Sequence, residues 1–341
     1  MTVSLFAGLI LWHVINVPLV DSNPPSHQGA LHAKKTMEEA GVPTADYIEL
    51  NAQSDVEAAL DKFGSNPWVI KRDVLAGGKG VVVTSDRDEA RHFISSSIES
   101  DGLVLLEAFL PGEEASMLVV MDGHSFVTLP ASQDHKRAFD GDLGPNTGGM
   151  GAVSPVPFAD AAFMDKVHNQ VIVPTTKGLK SEGINYKGFI FFGLINVKGD
   201  PYVIEYNCRL GDPETEVVLP RLKSDILDLF EGIATNTLSE RDIQFYDKSA
   251  ATIMLVSGGY PKAYKKGKPI YGLNSVVDSL CFHAGTRSDG PSSVTSGGRV
   301  LAVTSYGKNI EFAMKKSYES IDKISFEGMN YRKDIGFDLI K

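Results

Sequence analysis

The run Ser132-Gln133-Asp134-His135-Lys136-Arg137, continued by Gly144-Pro145-Asn146-Thr147-Gly148-Gly149-Met150-Gly151-Ala152, separates two sets of apolar, strand-like segments. It is dense in charge and then dense in glycine. Charge at that density cannot fill a core, and glycine at that density makes neither a helix nor an ordinary strand. The plain reading is a long surface loop. Loops of this length inside a compact domain are uncommon unless they carry function.

On its N-terminal side the chain reads as strands joined by polar turns. Trp68-Val69-Ile70-Lys71 is a buried-type strand ending in lysine. Arg72-Asp73-Val74-Leu75-Ala76-Gly77-Gly78-Lys79-Gly80 connects it to a second strand, Val81-Val82-Val83-Thr84. Glycines let backbone N–H groups approach an anion, and the two lysines add positive charge. Lys79 is followed by Gly80, and the loop enters a strand, so this is no Walker A loop. Alone it reads equally as a hairpin turn. Ala115–Met121 and Ser125–Leu129 form a hairpin about Asp122-Gly123. Helical spacing is expected over Gly29–Ala40, Asp55–Phe63 and Asp86–Ser97.

On the C-terminal side, Ala161–Glu182 reads as helix, interrupted or ended at Pro174. Gly188–Val197 is almost continuously apolar, as in a strand buried on both faces. Tyr202-Val203-Ile204-Glu205-Tyr206-Asn207-Cys208-Arg209 returns beside it, and period 2 aligns Glu205, Asn207 and Arg209 on one face. Carboxylate and amide oxygens suit Mg²⁺, and arginine suits phosphate. The alternative is an internal Glu–Arg pair. Ser224–Ala234 is a helix. Beyond Ile243 a small sheet is expected, with Asn309–Ile321 packed on it as helix.

The 341 residues, 43% hydrophobic and 22% charged, have an ordinary globular composition. A net charge of −10 argues against a general nucleic-acid surface and leaves local anion binding open. Cys208 and Cys281 form no CxxC, which fits neither a disulfide framework nor a zinc site and suits a reducing cytosol. Leu5–Val20 is apolar but interrupted by His13 and Asn16, with no preceding Lys or Arg. It reads as a buried strand or the remnant of an element, not as a signal peptide or membrane span.

Two long strings carry a family resemblance. Ser132–Arg137 with Gly144–Ala152, and Ile204-Glu205-Tyr206-Asn207-Cys208-Arg209-Leu210-Gly211-Asp212-Pro213-Glu214, together resemble phosphoribosylamine–glycine ligases (glycinamide ribonucleotide synthetases) of the ATP-grasp superfamily. His283-Ala284-Gly285-Thr286, Gly297-Gly298-Arg299-Val300-Leu301 and Tyr331-Arg332-Lys333-Asp334-Ile335-Gly336 add to it. The likeness runs from about Pro25 to the end. It implies an α/β (α+β) ATP-grasp fold with a small C-terminal α+β domain. The implied reaction has ATP phosphorylate glycine, after which the amine of 5-phosphoribosylamine attacks the acyl phosphate. Glycinamide ribonucleotide, ADP and phosphate result, in a cytoplasmic step of purine synthesis.

The resemblance also implies roles. Lys71 and Lys79 would reach the ATP phosphates. Glu107, Ala108 and Leu110 belong to the hinge that holds adenine, largely through backbone groups, and Glu114 would take the ribose hydroxyls. Glu205 and Asn207 would hold Mg²⁺ (or Mn²⁺). Arg209 and Asp212 would act at the transferred phosphoryl and the acceptor. Asp134, His135, Lys136, Thr147, Gly148, Gly149 and Met150 would form the acceptor-binding loop. Small-molecule substrates are implied, with neither nucleic acid nor membrane as partner.

The chain departs from the family in three ways. The N-terminal Rossmann-like domain and its Gly-rich motif have no counterpart, so that domain reads as largely absent, and a separate chain supplying it is one expectation. A nucleotide-touching lysine has no clear match, although Lys34 and Lys35 are near. Val74 replaces a glycine, and Arg72 stands where a small residue is usual. The expected organisation is an atypical segment 1–24, linker helices 25–66, a small lobe 67–130, a large lobe 131–242 and a C-terminal domain 243–341. The other reading is a truncated, impaired or non-catalytic ATP-binding module. A ligase for a different acceptor is disfavoured by the acceptor loop.

Overall fold

The computed structural model describes residues 29–64, 67–74 and 80–340. Lys79 and the apolar segment before Pro25 lie outside the described residues.

The chain begins with helix α1 (Ala30–Ala40), ended by Gly41 at φ 70°. A first sheet follows, from β1 (Tyr47–Asn51), β2 (Trp68–Arg72), β3 (Val81–Thr84) and β4 (Leu103–Ala108). The antiparallel order is β1-β4-β2-β3. Helices α2 (Val56–Lys62) and α3 (Arg87–Asp101) cover it, burying Leu60, Ala90 and Ile94 against Trp68, Ile70 and Leu106. Helix α3 starts where Asp86 Oδ1 accepts from the backbone of Asp88 and Glu89, and ends at Gly102 at φ 83°.

Next come β5 (Glu113–Asp122), β6 (Phe126–Thr128), β7 (Gln133–Asp134), the hairpin β8 (Arg137–Phe139) and β9 (Leu143–Asn146), and β10 (Gly151–Ser154). Helix α4 (Ala161–Lys166) runs through a π-helical turn, Val167–Ile172, into α5 (Val173–Ser181). The interruption expected at Pro174 is this lapse in the α-helical pattern over Val167–Ile172, and the helix does not end there. Pro174 lies where the α-helical pattern resumes, directly after the π-helical turn.

Strands β11 (Lys187–Val197) and β12 (Asp200–Asn207) complete a second sheet of order β12-β11-β5-β6. Its apolar run reflects burial on both faces. Ile190, Phe192 and Leu194 join the core beneath α4 and α5, while Phe189 and Phe191 join the opposite core with Leu229. Each buried Phe contributes about 1.5–3 kcal/mol. After α6 (Thr215–Val218) and α7 (Ile226–Thr235) comes the C-terminal unit. It comprises β13 (Ser249–Val256), β14 (Pro269–Ile270), β15 (Leu280–His283), β16 (Thr286–Asp289), β17 (Ser292–Thr295), β18 (Arg299–Gly307) and α8 (Ile310–Ile321).

The sheets cut across the boundaries expected from sequence. Strand β1 belongs to the first sheet rather than to a linker, and β5 pairs with the second sheet. The five-stranded sheet has order β15-β18-β13-β10-β7. Its last two strands are the ends of the charged, glycine-rich stretch. That stretch is a hairpin excursion from a sheet, because Gly151–Ser154 pairs with Ala250–Ile253, and Met150 and Val153 pack with Met254.

Candidate active site

Two lysines meet one carboxylate between α1 and the first sheet. Lys71, at the end of β2, places Nζ 3.0 Å from Glu107 Oε2 and donates to the Ile204 carbonyl at 2.9 Å. Lys34, on α1, places Nζ 3.0 Å from the same Oε2 and donates to Thr44 Oγ1 at 2.7 Å. All three side chains are buried. Burial pushes the Lys34 ammonium down, and Glu107 opposes that. Two ammonium groups against one carboxylate leave a net positive charge with little solvent to screen it. Such a site favours an anion. Glu107 Oε1 is buried with no partner among the described residues.

Sequence reasoning left Lys34 unassigned. The available signal was its i, i+3 spacing with Met37, which places both on the buried side of α1. Lys35 points away, with Nζ 3.9 Å from Glu49 on the surface. The Glu107 side chain anchors the two lysines. In the hinge that follows, the Ala108 N–H is committed to the Asp46 carbonyl at 2.9 Å, and Leu110 is half-buried.

The start of the glycine-rich loop is tied down on two sides. Arg72 forms a bidentate pair with Asp101 at 2.6 and 2.7 Å, which accounts for a large residue at this position. Asp73 accepts from Leu31 N at 2.8 Å and so caps α1, whose own N-cap residue, Gly29, has no side chain to do it. Val74 is exposed and is not among the described non-glycine residues at positive φ, namely Asp142, Lys198 and Asn236.

The acceptor side is a dense field of charge. Lys136 Nζ lies 2.6 Å from Glu114 Oε2. Lys136 holds the Glu114 carboxyl below its usual range. Burial disfavours the Lys136 charge, but Glu114, Asp134 and Glu205 together raise its affinity for the proton. Burial and then Glu214 push Asp134 well up, and its Oδ1 is buried without a partner among the described residues. Glu214, also pushed up by burial, accepts from Ser116 Oγ at 3.0 Å.

The two family strings meet at Gly149. Its φ is +107°, and a Cβ there would lie 2.3 Å from Pro213 Cδ and 2.6 Å from Asp134 Oδ1. Thr147 Oγ1 donates to the Lys136 carbonyl at 2.8 Å and accepts from Gly149 N at 3.0 Å. Arg299, on β18, clasps both strings. It donates to the Gly148 carbonyl, to the Asp212 carbonyl at 2.9 Å and to Asp212 Oδ2 at 2.7 Å. The string Gly297-Gly298-Arg299 carried a resemblance but no assigned role.

His135 and Met150 turn away from this field. The His135 ring is buried, with Nε2 accepting from Gly336 N at 3.0 Å and lying 3.1 Å from Asp338 Oδ1. The Met150 side chain is packed in the C-terminal core. Glu205, Asn207 and Arg209 also differ from expectation. Strand β12 ends at Asn207, before Arg209, and Glu205 and Arg209 are exposed. No internal Glu205–Arg209 pair forms, since Arg209 Nη1 donates to the Leu210 carbonyl at 2.8 Å.

Glu205 Oε1 and Asn207 Nδ2 lie 3.2 Å apart. Rotating the amide would turn its oxygen to the same place. This pair of hard oxygen donors fits a cation that takes its remaining ligands from water and phosphate. Among the described residues no three His, Cys, Asp or Glu side chains form a metal-binding group.

A four-stranded antiparallel lobe, a hinge and a second sheet carrying an exposed carboxylate–amide pair, with a buried lysine pair between, define an ATP-grasp protein. The family model for the ATP-grasp (A) domain of phosphoribosylglycinamide synthetase matches residues 30–215, and that for the C domain matches 250–338. The chain belongs to the phosphoribosylglycinamide synthetase family. It is 44% identical over 313 residues to the phosphoribosylamine–glycine ligase of Chlorobaculum tepidum, covering 89% of this chain and 74% of that one. The Pseudomonas aeruginosa enzyme of the same name is 42% identical, with 88% and 72% covered. The crystal structure of the Thermotoga maritima phosphoribosylamine–glycine ligase superposes with a TM-score of 0.81 at 36% identity, covering 90% and 78%. The biotin carboxylase domain of Hydrogenobacter thermophilus 2-oxoglutarate carboxylase, bound to MgADP, shares the fold alone. Its TM-score is 0.68 at 17% identity, with 89% and 67% covered. No helix among the described residues is long and apolar enough to cross a membrane.

Proposed function

We propose that this chain is an ATP-dependent ligase joining glycine to 5-phosphoribosylamine in purine biosynthesis. Its curated relatives carry that name. The observation that carries the reading is the Lys34–Glu107–Lys71 cluster, an anion-favouring site one hinge away from a charged acceptor loop. Lys71 and Lys34, with Lys79, hold the ATP phosphates. Adenine lies against Ala108–Leu110, and Glu114 takes the ribose hydroxyls once it parts from Lys136. Glu205 and Asn207 hold Mg²⁺ (or Mn²⁺), which when bound neutralises phosphate charge.

The chemistry asks the protein chiefly to align reactants and stabilise developing charge. Lys136 and the Thr147–Gly149 backbone hold the glycine carboxylate toward the nucleotide. Arg209 faces the transferred phosphoryl, and Asp212, fixed by Arg299, orients the incoming amine. Asp134 and Glu214 lie beside the acceptor loop, and burial favours the protonated form of each. The acting compartment is the cytoplasm.

The test is ADP formation from ATP, Mg²⁺ and glycine, with and without 5-phosphoribosylamine. Turnover dependent on both acceptors supports the reading, and nucleotide binding with no acceptor-dependent ADP overturns it. A parallel reaction containing the isolated N-terminal domain of a longer relative asks whether a separate chain completes amine binding.

A further inference from the structure

Arg332 heads the largest side chains that are fully buried. Its guanidinium donates to Asp334 Oδ1 at 2.8 Å and Oδ2 at 3.0 Å, to Asp142 Oδ1 at 2.7 Å and to the Arg137 carbonyl at 3.3 Å. Asp334 also accepts from Gly141 N at 2.6 Å, and Asp140 accepts from Lys333 N at 2.8 Å. The C-terminal string Arg332-Lys333-Asp334 thus grips the turn of the β8–β9 hairpin. That turn needs gripping. Asp142 adopts φ +56°, which non-glycine residues seldom take, and Phe139 and Leu143 are 50% and 64% exposed. Little apolar packing holds the hairpin, so its position depends on the ion pairs.

The base of the hairpin lies in the acceptor field. Thr147 N donates to the Lys136 carbonyl at 2.8 Å, so residues 136 and 147 move together with it. The Lys34–Glu107–Lys71 cluster makes no hydrogen bond or ion pair to Arg332, Asp142 or Asp334. We propose that Arg332, with Asp142 and Asp334, is a positioning device for the acceptor half of the site alone. It sets the hairpin, and through it Lys136 and Thr147–Gly149, while leaving nucleotide binding independent. The proposal rests on the acceptor-loop reading above.

The full chain is tested as Arg332→Met and Asp142→Ala, with Asp142→Asn as the conservative variant that keeps an oxygen acceptor and tolerates positive φ. Hydrogen exchange is followed in peptides covering 137–147 and, as control, 81–108. Exchange of the hairpin should rise roughly tenfold in Arg332→Met and Asp142→Ala, with the control unchanged and Asp142→Asn in between. KM for glycine and for the amine should rise about fivefold or more while KM for ATP stays within about twofold. Unchanged hairpin exchange, or a parallel rise in KM for ATP, overturns the proposal. If Arg332→Met does not fold, Asp142→Ala, changed at a half-exposed carboxylate, decides alone. If the unmodified chain forms no acceptor-dependent ADP, the functional reading fails, and hairpin exchange still decides whether the network holds the loop.

Discussion

Lys34 and Lys71 come from a helix and a strand, yet their ammonium groups rest on the same oxygen of Glu107, each at 3.0 Å. Glu107 keeps two like charges together in a buried place before any nucleotide arrives. Glu107→Gln removes that counter-charge and should destabilise the chain by about 3–5 kcal/mol. ATP should restore more of the melting temperature in the variant than in the unmodified chain, because bound phosphate then supplies the missing negative charge. Thermal melts with and without ATP check this, and equal shifts in the two proteins would contradict it.

The neighbouring lysines separate by environment. Lys34→Met should weaken ATP binding by roughly tenfold to a hundredfold, about 1.4–3 kcal/mol. Lys35→Met should leave it within about twofold, since Lys35 is a surface residue near Glu49. Titration with a fluorescent ATP analogue distinguishes the two.

Gly149→Ala would put a methyl group into Pro213 and Asp134 at a backbone angle suited to glycine. The expected cost is about 1–3 kcal/mol of stability. Acceptor-dependent ADP formation should be lost while ATP still binds. Normal turnover in a folded variant would show that the two loops need not touch.

Glu216 carries a pH signature. Burial, followed by Asp212, pushes its carboxyl from 4.5 up to about 8. Below pH 4.5 folded and unfolded forms both hold the proton. Between pH 4.5 and 8 only the folded form holds it, so stability falls as pH rises, by up to about 1.4 kcal/mol per unit, and levels off above 8. Glu216→Gln should flatten that part of the profile. Urea unfolding at pH 5, 6, 7 and 8 measures it, and identical slopes would count against the buried acid.

Much of this molecule was legible in its sequence because period and chemistry agreed. The apolar run of β11 announced burial on both faces, and the Asp122-Gly123 hairpin formed where turn chemistry put it. The strings around Asp134 and Asp212 do converge, at Gly149 and Arg299. What stayed hidden depended on contacts distant in sequence. Lys34 has meaning only beside Glu107, 73 positions further on, and local pattern cannot show that pairing. His135 looked like a substrate residue, but its partners, Gly336 and Asp338, lie about two hundred residues away. Sheet membership was hidden for the same reason, since strand pairing across the chain decides it.

Strands β7 and β10 lie side by side, with Asp134 opposite Ala152 and Gln133 opposite Val153. The excursion between them therefore leaves and re-enters the sheet at a closed gate whose posts are already fixed. Its two ends are tied into the core by His135 and Met150, while residues 139–146 stand exposed above it. Only that exposed tip is free to be lengthened or shortened with both posts left in place.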